Sequence, residues 1–471
     1  MRSSSPAVWT IVAALVGIHT AAAGTLEYPK VSSYVLDVTF FPDESRLEGR
    51  AEIDLEAANE LPNPVVFYLH GELAVEKVTL GGRPVEVDQR KVLYDGDYSS
   101  VATRVEVPID DLDPGAVIAV AYEGFFHPSK VRSISNYMRI DEDGVLLRSY
   151  GYSLWFPVFL EAKKNSYPVS FRRVTLRTPA DYIPVFTGTW LSESVEGHLR
   201  TSEWRAENVD LFHAQCTALR FAVTREENTF VYSFRDRNSR QSAGRIAELA
   251  RLLDEMFRER YRREASTGQL HVMQMPRYGD ISSGNVIGLT SGSWLGIEEN
   301  EWAQRVLGHE LVHAYVQVPT DRTDRLWSLA IEGFPSYFHL PVLAEIVGEG
   351  LYERFLDRTE KGYLDRRRSG EDRRGRPLPP EKPPLAIHAD EMSTYKDRFV
   401  LNDRVLLFFD WIRRQLGAER FYDLTHELFQ RDRLSEESFE ATVLRFLPDA
   451  KDELRVWLET TEFPERFHRP R

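Results

Sequence analysis

The sequence predicts an α+β chain of more than one domain, an N-terminal antiparallel β saddle or sandwich followed by a mostly α-helical half. Three observations carry this. From Ser33 to about Glu226, short apolar runs of period two are separated by Pro, Gly and Asp turns. At about Thr229 the apolar period lengthens to that of a helix. With 471 residues, 42% apolar and 12% aromatic, the chain can fill two or three cores.

Residues 1–23 read as a secretory signal: Arg2, an apolar core Ala7–Ile18, and Ala21-Ala22-Ala23 as a small-residue cleavage site. The apolar core is short for a bilayer span of about twenty residues. The expectation is an exported chain, periplasmic or secreted, with no stable membrane insertion after signal cleavage. A formal charge of −14 argues against nucleic acid and anionic membranes as partners, and the lone Cys216 excludes an internal disulfide.

Residues 24–226 form the expected β domain. Leu47–Leu55 alternates apolar and charged side chains, the mark of a half-buried strand. Val65–Leu69, Val75–Leu80, Val105–Ile109, Val117–Tyr122, Ser170–Leu176 and Leu219–Val223 are further strand-like runs, with turns at Pro42-Asp43, Gly81-Gly82 and Asp113-Pro114-Gly115.

Residues 227–471 form the second domain. Ile246, Leu249, Leu253, Met256 and Phe257 mark a helix from Gln241 to about Arg262, and Leu270–Met275 reads as a strand. A further helix is expected from Asn300, its N-cap, through Gln317, and another from Glu332 through Tyr352. Residues 358–386, with Arg366-Arg367-Arg368 and a Pro-rich run to Pro384, read as an Arg/Pro-rich loop. A solvated insertion at a cleft mouth is favoured there over a polyanion-binding loop. Helices close the chain at Val400–Leu416, Glu419–Leu428 and Glu436–Phe446, then Leu454, Trp457 and Leu458.

The chemistry lies in Gly308–Gly333. His309-Glu310-Leu311-Val312-His313 is an H-E-x-x-H on a helical segment, so both imidazoles share one face and can hold one ion. Glu310 is one residue round, placed to reach a water rather than the ion. A catalytic zinc takes three protein ligands and keeps one position open. Glu332, which follows His313 after eighteen intervening residues at the start of a second helical pattern, supplies the third. One Zn²⁺ on His309, His313 and Glu332 is the expected cofactor.

The H-E-x-x-H, the eighteen-residue gap and the following Gly333-Phe334 resemble the aminopeptidase-N and leukotriene-hydrolase family of gluzincin metallopeptidases. That resemblance implies a thermolysin-like catalytic domain, Glu310 as general base, and peptides as substrates. It also implies a transition-state tyrosine some sixty residues past the third ligand, which falls on Tyr395, although Tyr395-Lys396-Asp397-Arg398 departs from the family's Y-x-K-G. Gly279–Leu289 stands where the family carries G-A-M-E-N, so the substrate-binding positions fall on Gly284 and Asn285. Gly284 replaces the motif glutamate that grips a free amine; Glu161, Glu298 and Glu299 are the replacements considered. Trp155-Phe156-Pro157 matches the opening of another family segment whose Asp-Glu-Pro is here Val158-Phe159-Leu160-Glu161. Asp324 and Glu301 are carboxylates considered as orienting the two imidazoles. The family's C-terminal helical domain is expected to be missing, leaving a more open cleft. The function expected is that of an exported zinc metallopeptidase using Glu-assisted attack of a metal-activated water, with aminopeptidase, endopeptidase and dipeptidase specificities open. The alternatives are a non-catalytic binding protein and a hydrolase of non-peptide substrates such as lipid epoxides; oligomeric state is open in each.

Overall fold

The computed structural model describes residues 29–464, except 57–61, 95–99, 110–116, 127–137, 148–153, 160–167, 212–213, 263–267, 277–279, 316–319, 321–322, 372–376, 378–379, 389–399 and 432. The expected signal at 1–23, the turn at 113–115, Glu161 and Tyr395 lie outside the described residues.

The β half contains β1 (Val31–Phe41), β2 (Arg46–Leu55), β3 (Val65–His70), β4 (Leu73–Leu80), β5 (Arg83–Val85), β6 (Asp88–Tyr94), β7 (Ser100–Val107) and β8 (Ile118–Phe125). It continues through β9 (Met138–Asp141), β10 (Gly144–Leu147), β11 (Pro168–Pro179), β12 (Ile183–Phe186), β13 (Thr189–Glu196), β14 (Leu199–Asp210) and β15 (Cys216–Leu219). The largest sheet runs β13-β14-β11-β1-β2-β8-β4-β5, with smaller sheets β12-β15-β10-β9 and β3-β7-β6. The large sheet is not wholly antiparallel as expected, because β1 pairs with β11 in parallel, Ser33 opposite Ser170. Alternation works as read from the sequence: Leu47, Ala51 and Ile53 of β2 are buried, while the charged residues between them keep contact with water. Trp155 and Phe156 are buried in this half among Tyr34, Phe171 and Phe186, and the Tyr34 hydroxyl donates to the Pro157 carbonyl at 3.0 Å.

A further sheet joins the two halves, in the order β16 (Phe221–Glu226), β17 (Thr229–Phe234), β18 (Leu270–Met275), β20 (Val286–Thr290) and β19 (Ile281–Ser283). The expected run 219–223 is thus split at Arg220 between β15 and β16, and the change of period near Thr229 falls in the β16–β17 hairpin. One face of this sheet, with Phe230, Tyr232, Met273, Met275 and Val286, packs into the β core. The other, with Val231, Val272, Ile287 and Leu289, packs against the helices.

Those helices are α1 (Arg237–Tyr261), α2 (Ser291–Leu295), α3 (Glu301–Tyr315), α4 (Phe334–Val347), α5 (Glu349–Ser369), α6 (Val405–Leu416), α7 (Ala418–Phe429), α8 (Glu436–Phe446) and α9 (Lys451–Glu459). Helix α1 starts earlier than expected because Asp236 caps it, accepting from Ser239 N at 2.9 Å. Helix α4 is buried on every side from Phe334 to Ala344, so it is the central helix of the domain. The expected continuous helix to Tyr352 is broken at Gly348, whose φ of 112° ends α4 and starts α5.

The span 358–386 is not a loop throughout. Helix α5 runs to Ser369, and its arginines are engaged: Arg366 with Asp403, Arg367 with Glu381 at 3.2 Å. Glu381 also accepts from Arg404, a fully buried side chain that donates to the carbonyls of Trp457, Val456, Thr460 and Glu462 at 2.7–3.0 Å. The charged run is a tie between α5, α6 and the end of α9, with Pro384–Ala386 as a short 3₁₀ turn. A buried guanidinium is tolerated because nearly every N–H has an acceptor.

Candidate metal centre

Helix α3 begins where Asn300 Oδ1 accepts from Trp302 N at 2.9 Å, the cap expected from the sequence. Its inner face buries Ala303, Leu307, Gly308, Leu311, Val312, Ala314 and Tyr315, which leaves His309 and His313 along one edge. Gly308 permits α4 to approach closely: a Cβ there would stand 3.0 Å from His339 Cβ. Glu332 lies in a π-helical turn, Leu329–Gly333, immediately before α4. The extra residue of a π turn changes the direction in which its side chains leave the helix.

These elements bring the three expected ligands together. The Nε2 atoms of His309 and His313 are 3.3 Å apart, and His309 Nε2 is 3.7 Å from a Glu332 carboxylate oxygen. All three ligand atoms lie within 4.8 Å of one another, and the side chains of His309 and Glu332 are about one-fifth exposed. The donor set fits zinc. Two nitrogens at about 2.0–2.1 Å from a tetrahedral ion stand about 3.3 Å apart, the separation seen between the imidazoles. The Glu332 oxygen stands a few tenths of an ångström farther from His309 Nε2 than that ideal. Zn²⁺ accepts two neutral imidazoles and one carboxylate and retains one positive charge, which suits a carbonyl or water as fourth ligand. Glu310 is 8% exposed and follows His309 directly on α3.

Asn285 is buried and its amide is engaged at the junction of the two halves: Nδ2 donates to Gly188 O at 2.8 Å and Gln269 O at 3.0 Å, while Oδ1 accepts from Gly188 N at 2.9 Å. Gly284 opens the turn between β19 and β20 with φ of 59°, a conformation that a glutamate would adopt only under strain. Glu298 and Glu299 lie exposed before α3. Asp324 accepts from Leu326 N and Glu436 N, capping turns, and Glu301 pairs with Arg354 and with Arg358 at 2.6 Å, so both carboxylates are committed away from the imidazoles.

Sequence reasoning missed three neighbours. His339 is fully buried, its ring centroid 6.1 Å from that of His309, with Nδ1 donating to Pro335 O at 2.7 Å. Burial, helped by nearby Arg305, lowers its pKa to about 3 and keeps it neutral. Ser336 and Asn402 meet behind Glu332, Oγ to Oδ1 at 3.0 Å. His339 and Ser336 carry a signal, lying on the helix after Glu332, but Asn402 carries none.

No protein-family model matches this sequence, and no curated protein does. Solved structures do. An M1 zinc metallopeptidase mutant from Deinococcus radiodurans, bound to Tyr-Ser-Ala substrate, superposes with a TM-score of 0.65 at 18% identity, over 93% of this chain and 96% of that one. A two-domain M1 zinc metallopeptidase mutant bound to L-arginine gives 0.66 at 18% identity, covering 93% and 95%. Native yeast LTA4 hydrolase gives 0.63 at 13% identity, covering 93% of this chain and 69% of that one. The chain therefore has the fold of the M1 zinc metallopeptidases and LTA4 hydrolase, a β-rich N-terminal part followed by a helical part that carries the two histidines and the glutamate.

Proposed function

We propose that this chain is an exported zinc metallopeptidase that hydrolyses peptide bonds. The observation that carries the reading is the convergence of His309, His313 and Glu332, with ligand atoms within 4.8 Å of one another and the two imidazole nitrogens at the separation a tetrahedral zinc requires. Zinc held there supplies a Lewis acid, which acidifies a water and polarises the scissile carbonyl. Glu310, beside His309 on α3, takes the proton of that water and returns it to the leaving amine. Tyr395, assigned by resemblance, donates to the oxyanion that develops on the carbonyl, a contribution of about 3 kcal/mol for a group of that kind. A structural neighbour holds a tripeptide substrate, which supports peptides as the substrate class. The basic, apolar and small-residue order of residues 1–23 supports export.

Glu310→Gln tests the assignment. The variant is expected to keep about one zinc per chain while peptide hydrolysis falls by at least about a thousandfold. A fully active Glu310→Gln chain removes the general base from the proposal. The fold shared with yeast LTA4 hydrolase favours one second reading, a hydrolase of non-peptide substrates. A library of free-amine and N-blocked peptides separates the two, since a non-peptide hydrolase leaves the library uncut.

A further inference from the structure

Glu332 has to reach a point defined by two side chains on another helix, so the backbone that carries it must be fixed. Its π turn closes with Phe334 N–H bonded to Leu329 O, five residues back. Such turns hold only where their surroundings over-determine them. The surroundings here are a second π turn, Val400–Arg404, which leads into α6. Gly333 lets the two approach: a Cβ on Gly333 would stand 2.6 Å from Val405 Cγ1.

The polar contact between the turns runs through Ser336, one helical turn past Glu332 and 3% exposed. Its Oγ lies 2.7 Å from the Glu332 carbonyl oxygen and 3.0 Å from the side-chain amide of Asn402. A serine that bonds only to the carbonyl four residues back is common in helices and carries no weight alone. The bond to Asn402, sixty-six residues away on another element, is what distinguishes this one. A hydroxyl has one proton, and a carbonyl oxygen only accepts. The Ser336 hydroxyl therefore has its one proton between two acceptors, the Glu332 carbonyl oxygen and Asn402 Oδ1. The result is one hydroxyl bridging the backbone of Glu332 and the side chain of Asn402.

We propose that Ser336 and Asn402 are a positioning pair that sets the direction of the Glu332 carboxylate by tying its π turn to the one at Val400–Arg404. The inference rests on reading His309, His313 and Glu332 as the zinc site. Neither residue touches the ion or the substrate; each acts through the backbone of the ligand.

The experiment uses the full chain as wild type, Ser336→Ala, Asn402→Ala and the double variant. Two quantities are measured: the rate of zinc release to a chromogenic chelator, and the thermal midpoint of the metal-free protein. Each single variant is expected to release zinc about tenfold faster, the lower end of what a group orienting a ligand contributes. The double variant should release no faster than the singles within about twofold, because both changes break one bridge. The metal-free midpoint should stay within a few degrees of wild type. Release within twofold of wild type in a folded single variant overturns the pair, as does a double variant whose effect is the product of the singles. If one single fails to fold, the other decides. A wild-type chain that holds no zinc sinks the zinc reading itself, whereas a wild-type chain that holds zinc and variants that hold it equally well overturn only the pair.

Discussion

The sheet β16-β17-β18-β20-β19 has histidines on both of its sides, and the two sides use them in opposite ways. On the helical side, His309 and His313 sit at the edge of α3 with Nε2 atoms 3.3 Å apart and a carboxylate beside them. On the junction side, His271 of β18 is fully buried between Phe230 and Trp204, ring centroids 5.0 Å away in each case, and its Nδ1 is 3.0 Å from the Tyr232 hydroxyl. The first pair keeps its Nε2 atoms close together beside the Glu332 carboxylate, with partial access to water. The second ring is sealed in apolar surroundings and held neutral. Residue type is the same; the partners and the access of water decide the role.

The comparison breaks most directly at the site. His313→Ala removes one of three converging donors and leaves the packed face of α3 intact. Zinc content is expected to fall to background and turnover at least about a thousandfold, while the metal-free thermal midpoint moves by about 2 °C at most. A His313→Ala chain that retains stoichiometric zinc separates the histidine pair from the metal. At the junction the order reverses. Asn285→Ala deprives Gly188 N, Gly188 O and Gln269 O of their partners. Each buried group left unpaired costs about 1 kcal/mol or more, so a loss of about 3 kcal/mol in unfolding free energy is expected with zinc content unchanged. Unaltered stability with a raised KM would instead support the substrate-binding role that the resemblance implies for Asn285.

What was legible in the sequence is what local spacing controls. The i, i+4 histidines and the helix that carries them follow from a 3.6-residue period, and β2, β3 and β18 follow from alternation or apolar runs. Long-range partners were not legible. The arginines of 366–367 read as a solvated loop because their acceptors, Asp403 and Glu381, come later in the chain and do not mark themselves. The parallel pairing of β1 with β11 joins Ser33 to Ser170, and no short pattern encodes it. Asn402 behind Glu332 belongs to the same class. Tyr395 rests on resemblance alone and lies outside the described residues.

A subtler difference appears with pH. Burial lowers the pKa of His271 from 6.5 to about 3. Between those values the unfolded chain carries a proton on this ring that the folded chain does not. Stability from this group is therefore complete above about pH 6.5 and is lost as pH falls toward 3, at about 1.4 kcal/mol per pH unit. His271→Phe keeps an aromatic ring in the stack and removes the titration. Unfolding free energies from urea titrations between pH 4 and pH 6 should depend on pH less steeply in the variant by that amount. Equal slopes in the two proteins would mean that the ring is protonated, or exposed, in the folded state.

The smallest effect expected is at Gly284, and it bears on why this chain departs from the family motif there. Gly284 and Asn285 form a two-residue connection from Ser283 to Val286, and the first of them takes φ of 59°. A residue with a Cβ loses about 1 kcal/mol in that region relative to glycine. Gly284→Ala should lower the thermal midpoint by about 1–2 °C and leave zinc content unchanged. Gly284→Glu should carry the same backbone cost while placing a carboxylate where the resembling family grips a free amine. If the variant hydrolyses free-amine peptides faster relative to N-blocked ones, the turn has merely lost an acid that the cleft still accommodates. If the ratio is unchanged and both substitutions are destabilising alike, the left-handed turn itself directs position 284 away from the substrate, and glycine is there for the backbone.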